Sequence, residues 1–559
     1  MEFNGRPSSI ESAVHFMMPA FAGRRNRCRV SSRRWVLIPP ASNLSASFVL
    51  HKKIMICKIP CGCKVMVHRP RYCLLVTATS KNHGLTQKDL DGQTVAILGL
   101  GASGKAAAEL ALARGASVLA IDRNENLLPL EVDPLFQKYT RLRTVLAPSG
   151  ADFLKDADRV VVSPGVPLET YGLAGLLESG KEVMSELDFA AEVLHKETAV
   201  LAISGTNGKS TVTSYASQLL QHSGIKAFVG GNFGNPLSKA ALQCMGSGES
   251  QFQVAVVEVS SYQLEIPNKY LHPSVAVILN LTPDHLERHK TMWNYAYTKC
   301  RLFCHMTDCD LAVLPADNQL LVEAFRHGLN HCTLTWIGDL PGLKMVMDKK
   351  VAYIELPTTG LSAELKLDSL NTVGNHNFQN AAVATFCVLG LNMGIEVNSI
   401  NEAIGKLSPL PHRMQIVHID NEGKIWVNDS KATNVEATYA GLVGMKEFKS
   451  VVLLGGIAKQ NAENNGSSGF EKLAEPLKCH KAVITFGASG EMIWKALLSA
   501  GLSIPCTTVK CLVDAVSLAR DIAKSGDAIV LSPGCASFDE FENFEHRGKV
   551  FEELAMQSR

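Results

Sequence analysis

Ser204-Gly205-Thr206-Asn207-Gly208-Lys209-Ser210-Thr211 stands between the apolar run Ala199-Val200-Leu201-Ala202-Ile203 and the helix-like stretch Val212 to Leu220. A glycine-rich turn placed there lets backbone N–H groups and a helix N-terminus converge on phosphate. Lys209 adds a mobile positive charge, and the Ser210 hydroxyl can reach Mg2+. Counted from Gly205, the loop is shorter than the full GxxxxGK[ST] pattern, yet the run predicts a nucleoside triphosphate site on a strand, turn and helix of an α/β fold.

Two further strands lie downstream of that loop. Val254-Ala255-Val256-Val257-Glu258-Val259 is a buried type of strand carrying one carboxylate. An unpaired buried carboxylate costs several kcal/mol, so Glu258 needs a cation or a hydrogen-bond partner, and a Mg2+ ligand is the expectation. Val275-Ala276-Val277-Ile278-Leu279 runs into Asn280-Leu281-Thr282-Pro283-Asp284-His285-Leu286-Glu287-Arg288-His289. His285 and His289 stand four apart, as a zinc pair on a helix would, but no further Cys/His cluster accompanies them. His285 is therefore assigned to the Mg2+ site and His289 to the surface. Lys299, in Tyr297-Thr298-Lys299-Cys300-Arg301, reads on its own as a solvated helix lysine.

The alternation of short apolar strands and helical stretches begins at Thr94-Val95-Ala96-Ile97-Leu98 and restarts at Ala199 and again at Val451-Val452-Leu453-Leu454. Three α/β units follow a leader, with joints near Lys196 and near Pro409-Leu410-Pro411. In the first unit, Gly99-Leu100-Gly101-Ala102-Ser103-Gly104 follows a strand and opens a helix, and Asp122 ends the next strand. Alone, that pattern favours a dinucleotide and a dehydrogenase. A reducing cofactor, however, leaves the phosphate loop at Lys209 without a use.

The 559 residues suffice for three or four domains, and 46% hydrophobic with 19% charged residues is the composition of a soluble globular chain. No apolar run is long enough to span a bilayer. The formal charge of +2 hides an asymmetry: up to Lys81 there are 14 Lys and Arg against Glu2 and Glu11, leaving 41 basic and 51 acidic residues beyond. A mildly acidic body argues against nucleic acid as a partner. The leader, with Arg24, Arg25, Arg27, Arg29, Arg33 and Arg34 near several serines, reads as an organelle transit peptide. Plastid stroma is the expected destination, with mitochondrion or cytoplasm as alternatives. Five of the 15 cysteines lie in the leader and the rest are scattered, which points to free thiols rather than a disulfide framework.

Taken in order, these elements resemble the Mur ligase family, ATP-dependent amino-acid-adding enzymes of peptidoglycan synthesis, from Asp91 to the C-terminus. Gly230-Gly231-Asn232-Phe233-Gly234 and Gly374-Asn375-His376-Asn377-Phe378-Gln379-Asn380 are similar to its substrate loop and its nucleotide-side helix opening. Leu410-Pro411-His412-Arg413, Asn428-Asp429-Ser430-Lys431-Ala432-Thr433-Asn434, Ser532-Pro533-Gly534-Cys535-Ala536-Ser537-Phe538-Asp539 and Asn543-Phe544-Glu545-His546-Arg547-Gly548 resemble its D-glutamate-adding branch.

The resemblance implies three domains after a leader of residues 1–80. These are a Rossmann-like UDP-substrate domain (88–195), a central P-loop ATPase domain (196–407) and a Rossmann-like C-terminal glutamate-ligase domain (408–559). It implies ATP at Gly205, Thr206, Asn207, Gly208, Lys209, Ser210, Thr211, Asn377, Arg413 and Asp429. It places Mg2+ on Ser210, Glu258, His285 and a carbamylated Lys299, with Lys209, Lys299 and His285 catalytic. UDP-N-acetylmuramoyl-L-alanine falls to Ala102, Ser103, Asp122, Arg123, Ser163 and Asn232, and D-glutamate to Thr433, Lys459, Ser537 and Phe544. The chain is expected to act as a monomer. Gly455-Gly456-Ile457-Ala458-Lys459-Gln460 keeps the family's lysine but not its usual small or acidic neighbours. A folate polyglutamylating enzyme lacks the first unit, a diaminopimelate- or lysine-adding relative carries a different C-terminal segment, and an inactive regulatory protein has no reason to retain such costly polar sites.

Overall fold

The structure, a computed structural model, describes residues 50–51, 54–55 and 89–557, apart from 149–151, 246–250, 329–330, 371–373 and 459–467. Within residues 1–82 the described part is an antiparallel pair, Leu50–His51 with Ile54–Met55. The leader assignment and Lys459 lie outside the described residues.

The body carries three sheets. The inner strands, such as Thr94–Leu98, Ala199–Ser204, Val254–Glu258 and Ser450–Gly455, are rich in Val, Ile, Leu and Ala and buried along nearly their whole length, as parallel strands covered by helices on both faces must be, while edge strands such as Leu142–Leu146 and Cys506–Thr508 are not. The first sheet is wholly parallel, in the order Leu142–Leu146, Ser117–Asp122, Thr94–Leu98, Arg159–Val162, Glu182–Ser185. The second has nine strands. Seven are parallel, running from Gly342–Val346 through Thr333–Ile337, Leu311–Pro315, Val275–Ile278, Ala199–Ser204 and Val254–Glu258 to Ala227–Gly231. Val351–Leu356 and Leu361–Lys366 extend it antiparallel. The third has six strands, with Ile425–Asn428, Ala528–Leu531, Ser450–Gly455, Ala482–Phe486 and Cys506–Thr508 parallel and Gln415–Ile419 antiparallel at its edge.

In the first two sheets the earliest strand sits inside, with later strands added on both sides of it. The loops leaving its C-terminal end diverge there and open a crevice, where ligands of open α/β sheets bind. Thr94–Leu98 holds this place in the first sheet and Ala199–Ser204 in the second. Register does the rest: Glu258 pairs with Ile203 and with Gly231, and Ile278 with Ser204. The phosphate loop, Glu258, Asn232 and Asn280 therefore emerge side by side at one edge.

Candidate active site

The phosphate loop is braced from the neighbouring strand. Asn280 Oδ1 accepts the N–H of Thr206 at 3.1 Å and of Asn207 at 2.9 Å, while its Nδ2 donates to Asn207 O at 3.0 Å. Gly208 has φ +86°, the left-handed region that favours glycine, and a Cβ there would also push aside the Asn380 amide, 2.8 Å from its Oδ1. Lys209 opens the helix Lys209–His222 and folds back, donating to Gly205 O and Thr206 O at 3.0 Å each. Burial pulls its ammonium below the ordinary lysine range, and the Arg413 charge pulls the same way, against Glu258 and Asp284. A partly buried cation whose hydrogen bonds among the described residues go to carbonyls is poised for an anion.

Lys299 is the residue whose surroundings depart most from the bare sequence reading. It is 1% exposed, its Nζ donates to Gly205 O at 3.0 Å, and it lies 4.6 Å from the centre of the Tyr295 ring. Burial first, then the Lys209 charge, holds it well below the usual lysine range, so it is a sealed side chain rather than a solvated one. His289 also corrects the sequence reading: it is buried, 5% exposed, with Nε2 2.9 Å from Ser261 Oγ. Its ring stacks on Tyr295 at 4.9 Å and on Tyr262 at 5.9 Å, and burial pushes its pKa down to about 4. A run of four residues with one apolar member does not show which face is inside. The zinc-pair geometry is absent too, because His285 precedes the short helix Leu286–His289 as its left-handed cap, at φ 55°.

Glu258 Oε1 accepts from Asn232 Nδ2 at 2.9 Å, and its Oε2 is buried with no hydrogen-bond partner among the described residues. Ser210 is buried, and its Oγ accepts from Arg413 Nη2 at 3.3 Å. His285 Nδ1 is 2.8 Å from Tyr262 OH, and its Nε2 lies 3.5 Å from Asp284 Oδ2. No group of three or more His, Cys, Asp or Glu side chains suited to a metal occurs among the described residues. The orphaned Glu258 oxygen fits a cation, and a site there would have to draw on donors other than a cluster of His, Cys, Asp and Glu.

Beside this centre lies a cleft of about 690 Å3, lined by Asn207, Gly208, Thr211, Asn377, Arg413 and Asp429 of the expected nucleotide set. Gly205, Thr206, Lys209 and Ser210 are not among its lining residues. Asn280, Asn380 and Lys431 also line it and were not assigned from sequence. Only the pairing of strands shows which amide faces the loop. A second cavity, about 540 Å3, is lined by Ala102, Ser103, Asp122, Arg123, Ser163 and Asn232, all six of the residues expected at the UDP substrate. Its glycine turn is tight: Ser163 Oγ donates to Gly99 O at 2.7 Å, and a Cβ on Gly104 would fall 1.7 Å from Gly99 O.

On the third sheet, Arg547 is fully buried and gathers three loops. It donates to Ser430 Oγ at 3.0 Å, to Ser430 O at 2.8 Å and to Cys535 O at 3.0 Å, and reaches Gly455 O at 3.4 Å. Ser430 Oγ donates to Phe544 O at 2.8 Å, and Gly534 N–H to Ala432 O at 2.9 Å. The loops carrying Thr433, Ser537 and Phe544 are thus held together.

Residues 203–388 match the Mur ligase middle domain, and residues 93–185 the Mur ligase MurD-like N-terminal domain. A UDP-N-acetylmuramoylalanine--D-glutamate ligase of Koribacter versatilis is 34% identical over 471 residues, covering 83% of this chain and 98% of that one. Another, of Myxococcus xanthus, is 35% identical over 472 residues with the same coverage. Among solved structures, the MurF ligase from Thermotoga maritima in complex with ADP shares the fold at a TM-score of 0.53 and 16% identity, over 85% of this chain and 99% of that chain. With relatives this similar along almost their entire length, the chain belongs to the Mur ligase family.

Proposed function

We infer that the chain is an ADP-forming ligase that joins D-glutamate to the alanyl carboxylate of UDP-N-acetylmuramoyl-L-alanine, a step of peptidoglycan precursor synthesis. One observation carries this reading furthest: Asn232 lines the cavity on the first sheet and also holds Glu258 beside the phosphate loop. A substrate anchored by its nucleotide in the smaller cavity can therefore present its carboxylate to a triphosphate in the larger cleft.

In the reaction this implies, the carboxylate attacks the ATP γ-phosphate, ADP leaves, and the acyl phosphate is taken by the glutamate amine through a tetrahedral intermediate that expels phosphate. The protein's work is alignment and charge neutralisation. Lys209 and the loop amides hold the phosphates. Ser210, Glu258, His285 and Lys299 as a carbamate would hold Mg2+, which supplies positive charge to the phosphoryl oxygens. Lys299 suits that role because burial favours the uncharged amine, the form that adds to CO2, losing a proton and becoming an anionic ligand. Arg413 and Asp429 hold the nucleotide from the third sheet, and Thr433, Ser537, Phe544 and Lys459 the two carboxylates of glutamate.

Phosphate release with UDP-N-acetylmuramoyl-L-alanine and either D- or L-glutamate tests the reading. Release with D-glutamate alone supports it, and release with neither refutes it. The basic leader directs the chain to the plastid stroma, where it works as a monomer; diffuse cytosolic fluorescence of a reporter fused to residues 1–80 counts against the first statement.

A further inference from the structure

Arg288 is bound by more groups than a surface helix residue needs. Its Nε donates to Glu265 at 2.9 Å and its Nη2 to Glu265 at 2.5 Å, its guanidinium lies 4.6 Å from the centre of the Tyr262 ring, and Nη2 also donates to Val166 O at 2.8 Å. Val166 belongs to the Ser163–Pro167 loop that lines the smaller cavity, 122 residues away in sequence. Tyr262 in turn holds His285 Nδ1 at 2.8 Å. One planar group thus touches the wall of one site and the ring that orients the histidine of the other.

We propose that Arg288 is a positioning residue that couples occupancy of the UDP cavity to the placement of His285. The proposal rests on the reading of that cavity as the UDP site. The loop it grips is braced as a unit with the glycine turn, because Ser163 Oγ is tied to Gly99 O and Val166 N–H to Ser163 O at 3.0 Å. A nucleotide that settles the loop therefore settles Val166 O, and through Arg288 the Tyr262 ring and His285. Lysine cannot take over this task. It has one ammonium point charge, whereas Arg288 uses a planar fork on Glu265, a further N–H on Val166 O and a face on Tyr262. The histidine itself stays chemically intact in such a variant; only its alignment is lost, and misplacement by about 1 Å can cost on the order of a hundredfold in rate.

The test compares kcat for the full UDP substrate with kcat for the same muramoyl-alanine lacking uridine, in the parent and in Arg288→Lys. Remote binding energy spent on alignment appears in kcat, not only in KM. The parent is expected to show a large ratio of the two values and Arg288→Lys a ratio at least tenfold smaller, with the variant still unfolding in one cooperative thermal transition. A smaller drop, or a parent ratio near one, overturns the proposal. Should Arg288→Lys fail to fold, Tyr262→Phe is judged by the same criterion, since it cuts the link to His285 while leaving Arg288 packed. Titration of the parent with UDP runs alongside, and absence of binding there would sink the UDP reading itself.

Discussion

Asp429 is a carboxylate whose cost to the fold can be worked out and then removed. It follows the strand Ile425–Asn428 and is 6% exposed. Its Oδ2 accepts from Ser532 Oγ at 2.7 Å and its Oδ1 from Met414 N–H at 3.2 Å. Burial pushes its pKa from 3.8 up to about 7, in spite of those bonds and of the charges of Arg413 and Arg547. Between these values the folded chain keeps a proton that the unfolded chain has released, so stability is highest below about pH 4 and falls as pH rises through about 7. At about 1.4 kcal/mol per pH unit, the ionised group costs roughly 4 kcal/mol once pH is above about 7.

Asp429→Asn keeps an oxygen for Met414 N–H, offers an amide to the rotatable Ser532 hydroxyl, and carries no charge. The expected variant matches the parent near pH 4 and exceeds it by roughly 2–4 kcal/mol near pH 8, read from urea unfolding at the two pH values. Because Asp429 lines the larger cleft, the variant gains stability but loses much of the stabilisation that ATP gives the parent, which is about 2.7 kcal/mol at a hundredfold excess over Kd. A difference between variant and parent that is the same at both pH values refutes the burial argument. An undiminished ATP effect refutes the assignment of Asp429 to the nucleotide.

Lys209→Ala is expected to abolish phosphate release while leaving UDP affinity unchanged, because the residue lies in the phosphate loop at the larger cleft; calorimetric titration with UDP and a phosphate assay check the two halves. Lys299→Ala is expected to lose turnover and to regain part of it with a small carboxylate such as formate in solution; full activity without any carboxylate contradicts the carbamate. Gly104→Ala forces a Cβ to within 1.7 Å of Gly99 O. It is expected to weaken UDP binding at least about tenfold and to cost roughly 1–3 kcal/mol in stability, measured by titration and urea unfolding.

The fold was legible where apolar periodicity is strong. Thr94–Leu98, Ala199–Ser204, Val254–Glu258 and Val275–Ile278 stand within a residue of where the runs of Val, Ile and Leu put them. The phosphate loop was legible because its chemistry lies within eight consecutive residues. Lys299 and His289 were not. Whether a helix lysine is solvated or sealed under a phosphate loop depends on which strand lies beside which, and the local sequence holds no record of that. Asn280 likewise looks like one polar residue in a loop until pairing of Ile278 with Ser204 sets it against Thr206 and Asn207. Family resemblance supplied Lys299 where local physics pointed the other way.

The three sheets are not joined equally. A single apolar core runs from Leu90 through Val193 into Val200, Phe228 and Leu237, so the first and second sheets share an interior. Polar contacts seal the same joint. Ser238 N–H and Oγ both donate to Glu186 at 2.7 Å, Lys239 pairs with Glu109 at 2.5 Å, and Asp188 accepts the N–H groups of Lys269, Tyr270 and Leu271. The third sheet keeps its cores to itself. It meets the second through lighter contacts, such as Arg413 on Ser210 and the backbone approach of Gly444 to Gly374. The larger cleft opens along that lighter joint, and Arg413, Asp429 and Lys431, with charges costly to bury, line it. Such groups gain most when a charged ligand fills the space between them, so binding free energy is available to draw the third sheet inward. On the function proposed above, the UDP substrate would stay with the two sheets that share a core, and closure would carry the loops of Thr433, Ser537 and Phe544, held by Arg547, toward it. That division would let one substrate be held while the other is delivered, as suits a two-step ligation through an acyl phosphate.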